Sequence, residues 1–101
     1  MKILCICERG NSRSPTLGWI LKDRMGHDVI AMGIRANSNE TKQMLYKWAE
    51  RIILVDKDFL PEIPQEFHEK VKVWDVGKDI YFIPHPDLIQ KYNDFITKEG
   101  I

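Results

Sequence analysis

Cys7 and Arg13 are the residues of this chain best suited to covalent chemistry, because they stand at the two ends of a short polar segment that follows an apolar run, residues 3–6. The segment between them consists of Glu8, Arg9, Gly10, Asn11 and Ser12. Small and polar residues let a chain curl so that successive backbone N–H groups point inward at an anion. An arginine adds a planar, two-pronged grip on phosphate. The pattern therefore predicts an oxyanion cradle with a thiol nucleophile at its floor.

A helix is predicted directly after this segment. Pro15 is favoured in the first turn of a helix, and Ser14 before it is a suitable N-cap. Leu17 and Leu21 fall on one side of that helix, and Gly26 is a natural stop. The positive N-terminal end of the helix would point at the cradle, where it favours both a thiolate and a bound dianion.

The order Cys7 to Pro15, C-x-x-x-x-x-R-S-P, resembles the phosphate-binding loop of low-molecular-weight protein tyrosine phosphatases, which also follows the first strand. Residues 49–56 look like that family's strand after the second long helix, and Asp79-Ile80-Tyr81 looks like its Asp-Pro-Tyr acid loop. The resemblance implies hydrolysis of phosphate monoesters, with phosphotyrosine expected, through a phosphocysteine on Cys7 and without a cofactor or metal. It also implies that residues 8–14 and Tyr81 bind the substrate.

Three aspartates are candidates for the general acid that protonates the leaving oxygen. The resemblance favours Asp79, whose family counterpart has this role. Asp75 directly follows the predicted fourth strand and stays open as a rival, whereas Asp87 beside Pro86 is explained equally well as a helix cap.

Aromatic residues near the predicted acid loop are candidates for the walls of a slot that holds a flat aryl group. Tyr81 is the first choice, with Phe82 and Trp74 after it. The alternative is that these side chains belong to the core, and this alternative is stronger for Trp74 because it lies on a predicted strand.

The remaining sequence alternates strands with helices. Apolar runs predict strands over residues 3–6, 29–32, 51–55 and 71–74, and helices are predicted over residues 15–24, 38–50 and 86–98. Residues 37–40 have the N-cap and acid of a capping box. This order predicts one α/β domain, residues 1–101, with three layers and a flavodoxin-like parallel sheet of four strands in the order 2-1-3-4. Cys7 then lies at the topological switch point, where such sheets bind ligands.

Composition narrows the possible partners. The 101 residues include 15 basic and 15 acidic side chains, so a polyanion-binding surface and a nucleic-acid partner are not expected. No apolar run reaches the length of a membrane span, and the N-terminus begins a strand where a signal peptide would stand, so we expect a cytoplasmic protein. Cys5 and Cys7 are poorly placed for a disulfide with each other, and the scattered His27, His68 and His85 are expected at the surface, without a metal site.

Two functions of other classes stay open on the residues alone. Cys7, Gly10, Ser12 and Ser14 also resemble the loop of IIB phosphocarrier subunits of sugar phosphotransferase systems, which carry phosphate on a cysteine after the first strand. A non-catalytic module that binds a phosphorylated ligand is the other possibility. Arg13 and an acid such as Asp79 favour the phosphatase, because a carrier must protect its phosphocysteine from water. The expected partner is a phosphorylated protein or a small aryl phosphate.

Overall fold

A computed structural model of the chain describes residues 1–9, 13–77 and 85–100. These residues contain a four-stranded parallel sheet with the order β2-β1-β3-β4. The strands are β1 (Lys2–Cys7), β2 (Asp28–Gly33), β3 (Arg51–Leu54) and β4 (Val71–Val73). The predicted fold class and strand order are therefore confirmed, and β1 lies at the centre of the sheet, between β2 and β3.

Helices connect the strands. They are α1 (Arg13–Trp19), α2 (Asn39–Trp48) and α3 (Pro86–Glu99). A π-helical turn, Ile20–Arg24, continues α1, and Gly26 ends this segment with a φ of +74°. Two 3₁₀ segments, Lys57–Glu62 and Gln65–Lys70, lead from β3 to β4. Among the described residues, no helix is both long enough and apolar enough to cross a membrane.

The side chains of β1 alternate between the two faces of the sheet, as the pleat of a strand requires. Ile3, Cys5 and Cys7 pack into a core shared with α1 and α3. Leu4 and Ile6 pack on the opposite face, into a core shared with α2 and the 3₁₀ segments. Because both faces are covered, β1 is apolar without interruption, and the molecule has the three layers that the sequence predicts.

Two predicted helix starts differ in detail from the structure. Ser14 is not the N-cap of the first helix, since it is already the second residue of α1. The N-cap of α2 is Ser38 and not Asn37, which the pattern of residues 37–40 predicts, and the Ser38 hydroxyl accepts a hydrogen bond from the N–H of Thr41 at 3.2 Å. The third helical position is therefore Thr41, and Glu40 stands one place too early to complete a capping box.

Candidate active site

Cys7 is the last residue of β1, and its position follows from the pairing of the central strand. It lies opposite Gly33 of β2, and its carbonyl accepts a hydrogen bond from the N–H of Ile34 at 2.8 Å. The side chain is fully buried. Because β1 is central, Cys7 lies at the C-terminal edge of the sheet where the chain turns to either side, which is the predicted ligand position in a sheet of this order.

Ser14 contacts Cys7 from within α1 and not from the N-cap position. As an inner residue of α1 it brings its Oγ to 3.0 Å from the Sγ of Cys7, and the same Oγ lies 3.4 Å from the carbonyl of Met32. A hydroxyl has one proton, so it can donate to only one of these acceptors at a time. When Cys7 is a thiol it can donate to Ser14, which then donates to Met32. When Cys7 is a thiolate, Ser14 can turn its proton to the sulfur and stabilise the charge.

Arg13 is buried at the first turn of α1, and the loops after β3 and β4 hold its guanidinium. Its Nη1 donates to the carbonyl of Gly77 at 2.7 Å and lies 3.5 Å from Oδ2 of Asp56. Its Cζ lies 5.9 Å from the ring centre of Phe59, which is within range of a cation–π contact. These contacts fix the plane of the guanidinium, which two-pronged recognition of phosphate requires.

The main chain of Arg13 is fixed as well. The hydroxyl of Tyr92, a fully buried residue of α3, donates to the Arg13 carbonyl at 2.6 Å. α3 therefore helps to hold the first turn of α1 in place through a polar contact beside an apolar core.

The first residues of the predicted cradle run beside the loop that follows β2. The carbonyl of Glu8 accepts a hydrogen bond from the N–H of Arg35 at 2.8 Å. A Cβ on Gly33 would lie 2.3 Å from the carbonyl carbon of Arg9, so only glycine allows this close approach. The N–H of Gly33 donates to the side-chain oxygen of Asn37 at 3.2 Å, which fixes the loop from its other side.

The charge of Glu8 acts on a cation of the loop after β2. The pKa of Arg35 is raised mainly by its hydrogen bond to Glu62, and the charge of Glu8 adds a smaller attraction. Glu8 is half-buried and Arg9 is exposed. Arg35 is therefore ion-paired with Glu62 and lies within electrostatic reach of Glu8.

Asp75 is tied into the main chain in a way that does not suit a general acid. Its carboxylate accepts hydrogen bonds from the N–H of Lys57 at 3.0 Å and of Gly77 at 2.8 Å. The pKa of Asp75 is lowered chiefly by the bond from Lys57. Burial is the second-largest effect and opposes this shift, while the bond from Gly77 and the charges of Lys57 and Arg13 lower the pKa further. A group held in the ionised form is a poor proton donor.

Asp87 and Trp74 are two further residues for which the sequence leaves two roles open, one in the site and one in the fold. The cap of α3 is His85, whose Nδ1 accepts from the N–H of Asp87, so Asp87 is not the capping residue. Trp74 is fully buried and stacks on Phe95 with ring centres 5.5 Å apart. The core alternative for Trp74 is therefore the correct one, and this side chain forms no wall of a substrate slot.

Several predicted site residues lie outside the described residues. They are Gly10, Asn11 and Ser12 of the cradle, the predicted acid Asp79, and the aromatics Tyr81 and Phe82. Their assignments stay predictions.

Cys5 and the histidines do not add to the chemistry. Burial, together with the charge of Cys7, raises the pKa of Cys5, which keeps it a neutral thiol. Both cysteines are free of disulfides. His27, His68 and His85 are half-buried, so the prediction that they lie at the surface holds only in part. Within residues 1–9, 13–77 and 85–100, no group of three His, Cys, Asp or Glu side chains is arranged to hold a metal ion.

Asp56, Gly77 and Tyr92 contribute to the site but carry no role in the sequence prediction. Asp56 follows β3 just as the segment of Cys7 follows β1. Because adjacent parallel strands end at the same edge of a sheet, the sequence alone could have placed Asp56 near Cys7. Gly77 acts through a carbonyl, and Tyr92 lies 79 residues from its partner. Neither contact has a signature in the sequence.

Comparison with known proteins gives structural matches only. No protein-family model matches the chain, and no curated protein sequence matches it either. The arginine phosphatase YwlE from Geobacillus stearothermophilus is similar in structure, with a TM-score of 0.66 and 17% identity over 95% of this chain and 86% of that chain. The tyrosine phosphatase Wzb from Escherichia coli K30, in complex with sulphate, has a TM-score of 0.67 and 17% identity over 96% of both chains.

A third structure agrees with these two. Wzb from Vibrio vulnificus, in complex with benzylphosphonate, has a TM-score of 0.59 and 20% identity over 91% of this chain and 89% of that chain. At such low identity a structural match demonstrates the fold, and it spans nearly the whole chain in each case. This chain has the fold of low-molecular-weight phosphatases, as its Cys7-to-Pro15 motif predicted.

Proposed function

We propose that this chain is a cysteine-dependent phosphatase that hydrolyses phosphate monoesters through a phosphocysteine intermediate. The observation that carries this proposal is the contact between Cys7 and Ser14 at the end of the central strand, beside the anchored guanidinium of Arg13. A nucleophile, a donor that stabilises its anionic form and a phosphate-binding cation are the parts that such a reaction needs. The phosphatases with the same fold support the reaction class.

The reaction has two steps. In the first, the thiolate of Cys7 attacks phosphorus in line, the S–P bond forms and the P–O bond to the leaving group breaks. Arg13 and the N–H groups of residues 8–14 hold the three equatorial oxygens, whose charge must be stabilised through a loose transition state. In the second, water attacks the phosphocysteine, which releases inorganic phosphate and restores the thiolate.

Asp79 is the proposed general acid. It gives its proton to the leaving oxygen in the first step and then accepts a proton from the attacking water. Asp75 is the weaker candidate, because the N–H bonds from Lys57 and Gly77 keep it ionised.

Phosphotyrosine is the proposed substrate, either on a protein or as a small aryl phosphate. The tyrosine phosphatases among the similar structures support this class, and Tyr81 would stack on the aryl ring. The arginine phosphatase of the same fold makes phosphoarginine the natural competitor in a substrate test. Because the chain has equal numbers of basic and acidic residues, we do not propose a nucleic-acid partner. The cytoplasm is the proposed location.

The test compares esters with good and poor leaving groups. The wild type should hydrolyse p-nitrophenyl phosphate and a phosphotyrosine peptide, with inhibition by vanadate. Asp79→Asn should slow the peptide far more than the nitrophenyl ester, whose leaving group departs without a proton. Asp87→Asn is the matched control and should change neither rate. A wild type that forms a long-lived phosphocysteine without turnover would contradict the phosphatase and indicate the phosphocarrier.

A further inference from the structure

Asp75 joins two loops that meet at the C-terminal edge of the sheet. One of its carboxylate oxygens accepts a hydrogen bond from the N–H of Lys57, in the loop after β3. The other accepts from the N–H of Gly77, in the loop after β4. The side chain of Asp75 is exposed, so packing does not determine where its carboxylate points. Its two bonds instead fix one loop against the other.

Gly77 connects the carboxylate of Asp75 to Arg13 through its N–H and its carbonyl. The N–H of Gly77 is bound to Asp75, and its carbonyl accepts the bond from Nη1 of Arg13 at 2.7 Å. Gly77 has a φ of +85°, a conformation that glycine adopts without strain. The preceding residue, Val76, is buried, and its N–H donates to the carbonyl of Val55 at 3.0 Å. The carbonyl of Gly77 is thus oriented by the contacts of the backbone that precedes it.

We propose that Asp75 is a positioning residue, which acts through Gly77 to orient the guanidinium of Arg13. One carboxylate outside the phosphate grip would then set the geometry of that grip. This role rests on the proposed function, because it concerns the arginine of that reaction.

The ionisation of Asp75 agrees with a positioning role. Its pKa lies below the usual range, chiefly through the bond from Lys57, so the carboxylate keeps its charge and both acceptors wherever phosphate esters are assayed near neutral pH. The charge of Arg13 contributes to the same shift, which places the two groups within electrostatic reach of each other.

The main test compares substitutions of Asp75 with a substitution of a second acidic residue in the same groove. Asp94 of α3 is exposed, lines a groove of about 330 Å³ together with Asp75, and accepts a bond from Gln90. Asp75→Ala should lower kcat for p-nitrophenyl phosphate by about tenfold or more and weaken vanadate binding severalfold, since Arg13 loses its fixed acceptor. Asp75→Asn keeps one acceptor and should lie between. Asp94→Ala should match the wild type in both measurements.

A second pair of variants distinguishes a loss of Arg13 positioning from a loss of folding stability. Gly77 and Gly26 both have positive φ, at +85° and +74°, and a Cβ on either would contact nothing within 4 Å. Alanine at each position therefore introduces similar backbone strain. Thermal unfolding should fall by similar amounts in Gly77→Ala and Gly26→Ala, whereas only Gly77→Ala should lose turnover and vanadate affinity. This pair keeps the test decisive even if Asp75→Ala does not fold.

The outcomes distinguish this role from the proposed function. A wild type that binds vanadate but hydrolyses no aryl phosphate contradicts the phosphatase, and the vanadate affinities still test the role of Asp75. If Asp75→Ala binds vanadate and turns over substrate as the wild type does, the positioning role is wrong. It is also wrong if Gly77→Ala and Gly26→Ala lose activity equally.

Discussion

Arg13→Lys tests whether phosphate binding requires the planar guanidinium or only a positive charge. The arginine is buried, bonds to the carbonyl of Gly77 at 2.7 Å and lies 3.5 Å from Asp56 and 5.9 Å from the ring centre of Phe59. Lysine keeps the charge but is a point donor without the planar fork. Its three N–H groups radiate from one nitrogen and cannot reproduce the planar guanidinium, so the geometry that binds phosphate is lost while the local charge is kept.

The expected magnitudes follow from these contacts. Loss of one hydrogen bond that involves a charged group costs about 1.5–3 kcal/mol of unfolding free energy. For a domain of this size that lowers the unfolding midpoint by roughly 6–24 °C. Loss of a preorganised oxyanion donor costs about 2.7 kcal/mol or more in the transition state, so kcat should fall on the order of a hundredfold.

The assay measures kcat for p-nitrophenyl phosphate, vanadate inhibition and thermal unfolding on the same preparations, well below the midpoint of the variant. Arg24→Lys is the matched control, because Arg24 is exposed and makes a surface bond to Asn93 at 3.1 Å. It should change stability by less than about 0.5 kcal/mol and leave kcat unchanged. A loss of less than about tenfold in Arg13→Lys, or about 1.4 kcal/mol, would refute the two-pronged grip.

Three further substitutions test the contacts around the site. Ser14→Ala removes the hydroxyl 3.0 Å from the sulfur of Cys7, and kcat should fall by about tenfold because a bond to a charged group is lost. Tyr92→Phe leaves the buried carbonyl of Arg13 without its 2.6 Å bond and should cost about 1–3 kcal/mol in denaturant unfolding. Gly33→Ala forces a Cβ to 2.3 Å from the adjacent backbone and should lower both stability and vanadate affinity.

Each of these has an outcome that counts against it. Unchanged kcat in Ser14→Ala would mean that the hydroxyl does not stabilise the thiolate, and unchanged unfolding in Tyr92→Phe would mean that its bond to Arg13 contributes nothing. For Gly33→Ala the control is Gly18→Ala, where the new Cβ would lie 3.4 Å from the side chain of Val29 and alanine favours the helix. Equal effects of the two alanines would exclude the backbone clash.

The fold could be predicted from local patterns because each element carries its own signal. The apolar run of β1 and the glycine at position 26 mark where elements begin and end, and alternation of strands with helices restricts the sheet to few orders. The position of Cys7 at the edge of the sheet followed from this order, without any contact being known.

Contacts between distant segments could not be predicted in the same way. Ser14 satisfies the sequence rule for an N-cap but is an inner residue of α1, because the helix begins earlier than Pro15 implies. Asp75 looked like an acid by its place after β4, and only the backbone N–H groups around it make it an acceptor of two bonds. Residue types do not reveal backbone partners, so the role of Asp75 needed the structure.

The measurement that tests the central claim most directly is the location of phosphate on the protein during turnover. We predict that acid quenching with p-nitrophenyl phosphate, followed by digestion and mass spectrometry, finds the phosphate on Cys7 in the wild type. The same adduct should form in Cys5→Ala, since the raised pKa of Cys5 keeps that thiol neutral, and should be absent from Cys7→Ser, which should also lose hydrolysis. Phosphate on any other residue, or hydrolysis by Cys7→Ser at the wild-type rate, would contradict the account.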